Sequence, residues 1–598
     1  MSQLQVPAEA VTPAAAPEVS HPPKVTAGAL RARWKASAAV AFIMREDRLF
    51  LLLAVLIGIF SGLAVVCFRL AIEWTQITLL SPSLAPSFPR VVLAPTLAGL
   101  VVALLAIHVF PGVRGSGVNH TKAAVYISNG YVPFTTVIGK FVTCALAIGS
   151  GQSLGPEDPS LQMGAGIASL IGRSLRLSQE KLRLIAPVGA AAGLAAAFNA
   201  PISAVLFVIE EVIGTWSAGG LGAIVLAAVS SVVTMRAFLG ADSLFRVPAF
   251  RVASPGELLA YIVLGIAGGG ASLFLLKLFV YFRPKIQELP SWTLYIQPAA
   301  AGLLIGLIGI RLPQVMGAGY AIVDQAMHGQ FTWNLLLVLA AMKIVATGLS
   351  FLSGTPGGTF APTLFIGAML GGAVGAVEHH FFAGVAGTTG TFALVGIGTL
   401  FAGFLRTPIT AVFMVIELSG NYTAILPVMI STMVAYVISR HYQKVPLFDL
   451  LARQEGLVLP SIEERREMMS LAVEDAMRTD GFLEVEPGEP LTDLARRAEA
   501  NPDATLLLRV RAGEWWIPDR EDVLQRAPDA SPTVTAVHVK SKGPLPYLFR
   551  DQSLSEALQT IGDWPVLPIA NRANLSKLEG ILTLADTLGA FRKKPAEE

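Results

Sequence analysis

Charge is scarce in this chain, and so is cysteine. Asp, Glu, Lys and Arg make up only 14% of the 598 residues, while apolar residues make up 53% and the mean hydropathy is +0.60. Soluble domains usually carry about 25% charged residues, so the composition excludes an ordinary soluble protein and places the chain in a membrane. The 44 basic and 42 acidic residues leave a net charge of +2, too small to single out nucleic acid as a partner. The two cysteines, Cys67 and Cys144, both lie in apolar runs. That argues against a disulfide framework or a thiolate metal site and reads as core filling. The first 35 or so residues are rich in Pro, Ala and Val and lack an apolar h-region, so the reading is a disordered tail over 1–38 and no cleaved signal peptide. Finally, the apolar portion contains no nucleophile–base pairing, metal-ligand cluster or phosphate-cradling loop, which argues against an enzyme.

What is present is long apolar runs. Stretches approaching or exceeding the roughly 20 residues needed to cross a bilayer fall near 49–72, 89–110, 135–150, 183–212, 219–238, 257–282, 293–311, 333–350, 364–385, 389–418 and 424–440. Arg31, Arg33, Lys35, Arg45 and Arg48 crowd the entrance to the first run, which favours a cytoplasmic N-terminus. Between 440 and 470 the composition turns polar, so a membrane domain over 39–460 is followed by a soluble module over 461–598.

The apolar portion is written twice. KFVTCALAIGSGQSLGPEDPSLQMGA from Lys140 lies without gaps over KIVATGLSFLSGTPGGTFAPTLFIGA from Lys343, with ten identities that include Gly155 with Gly358 and Pro159 with Pro362. VGAAAGLAAAFNAPISAVLFVIE from Val188 recurs as VGIGTLFAGFLRTPITAVFMVIE from Val395. The offset grows only from 203 to 207, which makes this a duplication with halves of about 49–240 and 255–442. Duplicated halves with Gly/Pro breaks inside apolar helices point to a transporter-type fold whose site lies where the broken helices meet. A helix that starts inside the bilayer leaves its first N–H groups without partners and adds partial positive charge from its dipole, so it invites an anion. Neutral donors of this kind also allow the fast release that conduction requires.

The breaks themselves carry a family resemblance. Gly115-Ser116-Gly117-Val118-Asn119-His120, Gly155-Pro156-Glu157-Asp158-Pro159, Gly357-Gly358-Thr359-Phe360-Ala361-Pro362, and Phe198-Asn199-Ala200-Pro201 followed by Glu210-Glu211 stand in the order of the motifs of the CLC chloride channels and proton-coupled chloride transporters, which the chain resembles over almost its whole length. The resemblance implies an all-α polytopic fold built as an inverted repeat of broken helices. It also implies a homodimer with a separate anion path in each subunit, moving chloride and protons, and the expected location is a bacterial-type inner membrane with both termini cytoplasmic. Residue by residue, it makes Ser116 and the N–H groups of Thr359 and Phe360 anion ligands, Glu157 the gating glutamate and Glu211 the internal proton glutamate. Bottom-up, an ionised Glu157 is itself an anion that competes for such a site and leaves it when protonated. A helix-start cap is the plain alternative. Glu210 and Glu211 end an apolar run, where carboxylates are costly. Glu417 repeats Glu210, which makes one acid of that pair structural, whereas Leu418 stands opposite Glu211. Lys140 and Lys343 either snorkel and bind carbonyls or attract anions.

The chain also departs from the family pattern. Phe448 stands where the family has a tyrosine hydroxyl on the anion, Asp158 adds a second acid beside the gate, Pro156 replaces a basic residue, and His120 replaces an acid. The C-terminal module resembles a CBS-domain pair through VEDAM from Val473 and GILTLAD from Gly580. There Thr583 and Asp586 would face the ribose of an adenine nucleotide, with Asp522 the weaker equivalent and Asp519 where a threonine is expected. Such pairs are often empty dimerisation pieces, so no cofactor is required. The resulting expectation is proton–chloride exchange. A passive chloride channel is the runner-up, and a non-conducting, nucleotide-responsive membrane sensor is the alternative of another class.

Overall fold

The computed structural model describes residues 27–598 apart from 82–87, 176, 215–217, 243, 246–256, 382–387, 458, 460–470, 487, 527–543, 563 and 594–598. The chain divides into two compact units, 1–53 and 54–598. Of the tail expected over 1–38, residues 1–26 lie outside the described residues. From Ala27 the chain is helical, because Ala, Leu, Arg and Lys are good helix formers. The boundary expected near 460 likewise lies outside the described residues.

The membrane helices are α1 (Ala27–Leu80), α2 (Phe88–Leu104), α3 (Gly117–Tyr126), α4 (Phe134–Gly149), α5 (Glu157–Ser174), α6 (Gln179–Phe198), α7 (Pro201–Phe207, continued by a π-helical turn, Val208–Ile213) and α8 (Ala218–Leu239). The order then recurs as α9 (Glu257–Gln287), α10 (Gln297–Arg311), α11 (Tyr320–Met327), α12 (Trp333–Leu352), α13 (Phe360–Phe381), α14 (Thr389–Leu405), α15 (Pro408–Ser419) and α16 (Ile425–Tyr442), and α17 (Leu447–Gln454) follows. Among the described residues, eight helices are long and apolar enough to cross a membrane. The fold is that of an all-α polytopic membrane protein.

Two of the apolar runs read from sequence are each two helices. The runs 183–212 and 389–418 break where Asn199 (φ 57°) and Arg406 (φ 64°) adopt the left-handed conformation, and Pro201 and Pro408 then open the next helix. A left-handed C-cap followed by proline cannot continue a helix, and proline suits a first helical turn.

Contacts between repeat-related residues show that the second half is inverted. Gly155 N–H donates to the Gly358 carbonyl (2.7 Å) and Gly358 N–H to the Gly155 carbonyl (2.9 Å) in an antiparallel bridge. Glu417, near the end of α15, accepts from Ile202 N–H (2.9 Å), Ser203 N–H (2.7 Å) and the Ser203 hydroxyl (2.5 Å) at the start of α7. Glu210, beyond the end of α7, accepts from Ile409 N–H (3.4 Å), Thr410 N–H (3.0 Å) and the Thr410 hydroxyl (2.8 Å) at the start of α15. The end of each helix therefore meets the start of its counterpart. They run antiparallel about a two-fold axis between them, the relation of inverted-topology repeats. The same axis passes between α2 and α10, where a Cβ at Gly99 would lie 2.3 Å from the Pro298 carbonyl oxygen and one at Gly302 2.1 Å from that of Pro95.

The C-terminal module contains two copies of one order. In the first, β1 (Phe482–Val485), α18 (Leu491–Ala500), β2 (Thr505–Arg511), β3 (Glu514–Trp516) and α19 (Arg520–Arg526) form a sheet in which β1 runs parallel and β3 antiparallel to β2. In the second, an extended segment at Leu548 pairs parallel with the next strand, and α20 (Leu554–Ile561), β4 (Leu567–Ala570), β5 (Leu578–Leu582) and α21 (Leu584–Lys593) follow. Each copy closes over its own apolar core, one around Val485, Leu494 and Leu508 and the other around Leu554, Leu567 and Ile569.

Candidate functional site

Four helix starts frame the candidate site: α3 at Gly117, α5 at Glu157, α11 at Tyr320 and α13 at Phe360. The Gly155–Gly358 bridge ties the approach to α5 to the approach to α13. Ser116 is the N-cap of α3, accepting from Val118 N–H (3.2 Å). The N–H groups of Thr359 and Phe360 stand where no preceding turn can accept from them.

Two consecutive acids in the first turn of α5 reach in different directions, as side chains about 100° apart on a helix must. The buried Glu157 carboxylate accepts from the Tyr320 hydroxyl and from Ala361 N–H (3.3 Å) at the start of α13. The cap reading of Glu157 keeps the carboxylate on its own helix, whereas here it also reaches across to another. Asp158, 3% exposed, turns to the start of α3, where one carboxylate oxygen accepts from the Ser116 hydroxyl (3.0 Å) and Val118 N–H (3.0 Å) and the other from Gly117 N–H (2.8 Å). Ser116, read as an anion ligand, is in this structure a ligand of Asp158.

The repeat-related lysines bind carbonyls. Lys140 donates to Gly115 (2.9 Å), and Lys343 to Val315 (2.9 Å) and Gly317 (2.6 Å). Each thereby fixes the glycine loop ahead of α3 or α11. His120 pairs with the Gln162 amide (3.0 Å). Phe448 is buried against Phe360 (6.3 Å between ring centroids) and Phe207 (6.4 Å), and Phe401 also packs on Phe360 (5.7 Å). An apolar aromatic wall thus stands where the family tyrosine was expected.

Glu211 lies in a group that sequence reasoning missed. The Lys122 ammonium, fully buried, donates to Glu211 (2.7 Å) and to Asp449 (2.9 Å), both also buried. Among the described residues, the second oxygen of Asp449 has no hydrogen-bond partner. Two carboxylates on one ammonium carry a net charge of −1 away from water, and one proton brought to the group would neutralise it. Its neighbour Glu210 is the structural cap described above, as the repeat suggested. A cavity of about 380 Å³ opens beside both glycine breaks, lined by Arg114, Gly115, His120, Arg283, Gly357 and Glu455, with Arg283 and Glu455 in an ion pair (2.6 Å).

Sequence comparison fits this geometry. Residues 98–440, more than half of the chain, match the voltage gated chloride channel family. The chain belongs to that family. It is 32% identical over 401 residues to a ClcB-like chloride channel protein of Ralstonia nicotianae, covering 65% of this chain and 92% of the relative. It is also 32% identical over 417 residues to the H(+)/Cl(-) exchange transporter ClcA of Yersinia pseudotuberculosis, covering 67% of this chain and 87% of that one. A crystal structure of a eukaryotic CLC transporter, 18% identical, superposes with a TM-score of 0.61 over 92% of this chain and 98% of its own, a likeness of fold that extends into the C-terminal module. Family members are transporters and not enzymes, in line with the sequence reading.

For this family member, Tyr320 and Lys122 are the partners that sequence reading did not find. A third stretch of the repeat held a signal for the first: Gly317-Ala318-Gly319-Tyr320 stands over Gly115-Ser116-Gly117-Val118. Cys144 is buried as expected. Cys67 is exposed on α1, which corrects its reading as a core filler and suits a small apolar side chain facing lipid. In the module, Thr583 and Asp586 do meet, as a helix cap. The Thr583 hydroxyl donates to Asp586 (2.5 Å), Asp586 N–H donates to the Thr583 hydroxyl (3.2 Å), and Arg478 pairs with Asp586 (3.0 Å). Asp519 accepts from Glu521 N–H (3.1 Å) at the start of α19, the helix that carries Asp522.

Proposed function

We propose that this protein exchanges chloride, or a similar small anion, for protons across a membrane, with Glu157 as the gate and Glu211 as the internal proton site. The observation that carries this reading is the buried Glu157 carboxylate lying on the Tyr320 hydroxyl and the Ala361 N–H at a helix start. Such donors suit any small anion, so an ionised Glu157 and a transported anion exclude each other there. Protonation removes the charge that holds Glu157 in place and opens the position. The Glu211–Lys122–Asp449 group supports the other half of the cycle, because it gains neutrality by taking one proton. Lys122 lies five residues along α3 from Gly117, a rise of roughly 8 Å, so one helix carries both the anion-binding start and the ammonium that holds the proton-taking acids. Thr359 and Phe360 N–H groups complete the anion ligands once Glu157 leaves. Phe448 supplies no hydroxyl, and this favours a looser inner gate with more chloride passing per proton.

We further read two such subunits as a homodimer in a bacterial-type inner membrane. The basic residues before the first span and the polar character of the module support a reading with both termini cytoplasmic. The module over 461–598, with its twofold β-α-β-β-α order, is read as a CBS pair.

Purified protein in liposomes, with chloride efflux and proton movement recorded together, tests the reading. A chloride gradient is expected to drive protons uphill. Glu211→Gln is expected to abolish proton movement while chloride still passes, and Glu157→Gln to uncouple the two. Chloride flux without protons in the unaltered protein would make it a channel and leave Glu211 a structural ion-pair member.

A further inference from the structure

The exchange cycle leaves Asp158 unused, although it lies one residue from the Glu157 gate and is almost fully buried. Buried carboxylates are normally held by a cation. Lys140, the nearest lysine in the repeat motif, instead donates to the Gly115 carbonyl, and His120 is engaged with Gln162. Among the described residues, the hydrogen bonds to the Asp158 carboxylate come from the Ser116 hydroxyl and the Gly117 and Val118 N–H groups. Neutral donors at a helix start are the chemistry with which a protein holds a mobile anion, and here both carboxylate oxygens consume them.

We propose that Asp158 is a second tethered anion, occupying the position at the start of α3 that a transported anion must take, so that chloride binds there only by displacing it. The inference rests on the anion-exchange reading for its function, although the occupancy itself does not. Glu157 and Asp158 then close two adjacent positions from one helix turn. Release of Glu157 opens the position at α13 and leaves the one at α3 filled. In the repeat, Phe360 and Ala361 stand opposite these two acids, so the second half provides a helix start and no plug. The consequence is an intrinsically weak chloride site, set by competition with a carboxylate that is always present at high local concentration.

The test is chloride titration of the detergent-purified full-length protein by calorimetry, alongside its melting temperature with and without chloride, for the unaltered protein, Asp158→Asn and Asp158→Gly. Removing the competing charge is expected to tighten chloride binding by at least about tenfold, the scale of one charge-assisted hydrogen bond. Both variants should melt earlier without chloride and regain stability with it, and Ser116→Ala in the Asp158→Asn background should remove most of the gain. A variant that melts early and is not rescued by chloride would overturn the proposal and make Asp158 a simple cap of α3. Unchanged affinity would also overturn it, as would a gain indifferent to Ser116→Ala. Liposome flux on the same proteins separates the two readings. A gain in binding without flux in any protein keeps this inference and sinks exchange, whereas exchange with unchanged binding does the reverse.

Discussion

The two halves of the membrane core share one backbone and differ in what they carry at its breaks. Lys140 and Lys343 each tie down a glycine loop, and the axis-facing bridge Gly155–Gly358 is reciprocal. The helix pairs α5–α6 and α13–α14 cross at glycines in the same way. Yet the first turn of α5 opens with Glu157-Asp158 where α13 opens with Phe360-Ala361, Lys122 stands opposite Asp324, and Glu211 stands opposite Leu418. The symmetric positions are those where backbones must meet, and the asymmetric ones are where charge sits. A duplicated scaffold can therefore hold a one-sided chemistry, with acids supplied by one half and helix starts by both.

The sharpest way to break the comparison is to remove the buried ammonium. Lys122→Met leaves Glu211 and Asp449 unpaired in the core, which should cost about 3–5 kcal/mol. Its repeat mate Asp324 is half-exposed beside His328, and Asp324→Asn should stay within about 0.5 kcal/mol. Melting temperature and monodispersity in detergent read both. Adding Glu211→Gln and Asp449→Asn to Lys122→Met should restore much of the loss, and failure to do so would show that Lys122 matters for packing and not for charge.

A smaller effect should be equal in the two halves. Cβ atoms at Gly164 and Gly189 would each lie 2.1 Å from the other's carbonyl oxygen, and at Gly367 and Gly396 2.3 and 2.2 Å. Gly164→Ala and Gly367→Ala should each cost about 1–3 kcal/mol despite the better helix propensity of alanine, since the clash is with backbone that cannot rotate away. Unequal losses would mean that the acids have forced the first half to pack differently.

Much of this fold was legible in the sequence because it is duplicated. The offset of 203 to 207 exposed the repeat, and the intramembrane acids flagged Glu157 and Glu211. Inversion was not legible, since it depends on which ends of repeat-related helices meet. The match of Pro95 and Gly99 with Pro298 and Gly302 was not read from the sequence, and it appears only when each glycine meets the other half's proline carbonyl. The Lys122 group was hidden for a different reason. Its members are 89 and 327 residues apart, and nothing local in α3 announces that a lysine there is fully buried. Asp158 was visible as an excess charge beside the gate, whereas its partners at the start of α3 follow from how α5 and α3 cross.

The finest test of the symmetry is the reciprocal cap. Glu210 and Glu417 each satisfy two N–H groups and a hydroxyl at the start of the opposite helix. Replacing either acid by glutamine keeps one accepting oxygen and loses the charge that favours a helix start, an effect of about 1 kcal/mol. The two hydrogen-bond sets are not identical, however. The contacts of Glu417 run from 2.5 to 2.9 Å and those of Glu210 from 2.8 to 3.4 Å. Glu417→Gln should therefore lower the melting temperature slightly more than Glu210→Gln. Because both caps clamp the same antiparallel pair, the double variant should lose less than the sum of the two. Strict additivity would instead mean that α7 and α15 are held apart from each other by their surroundings, and that the caps serve each helix alone.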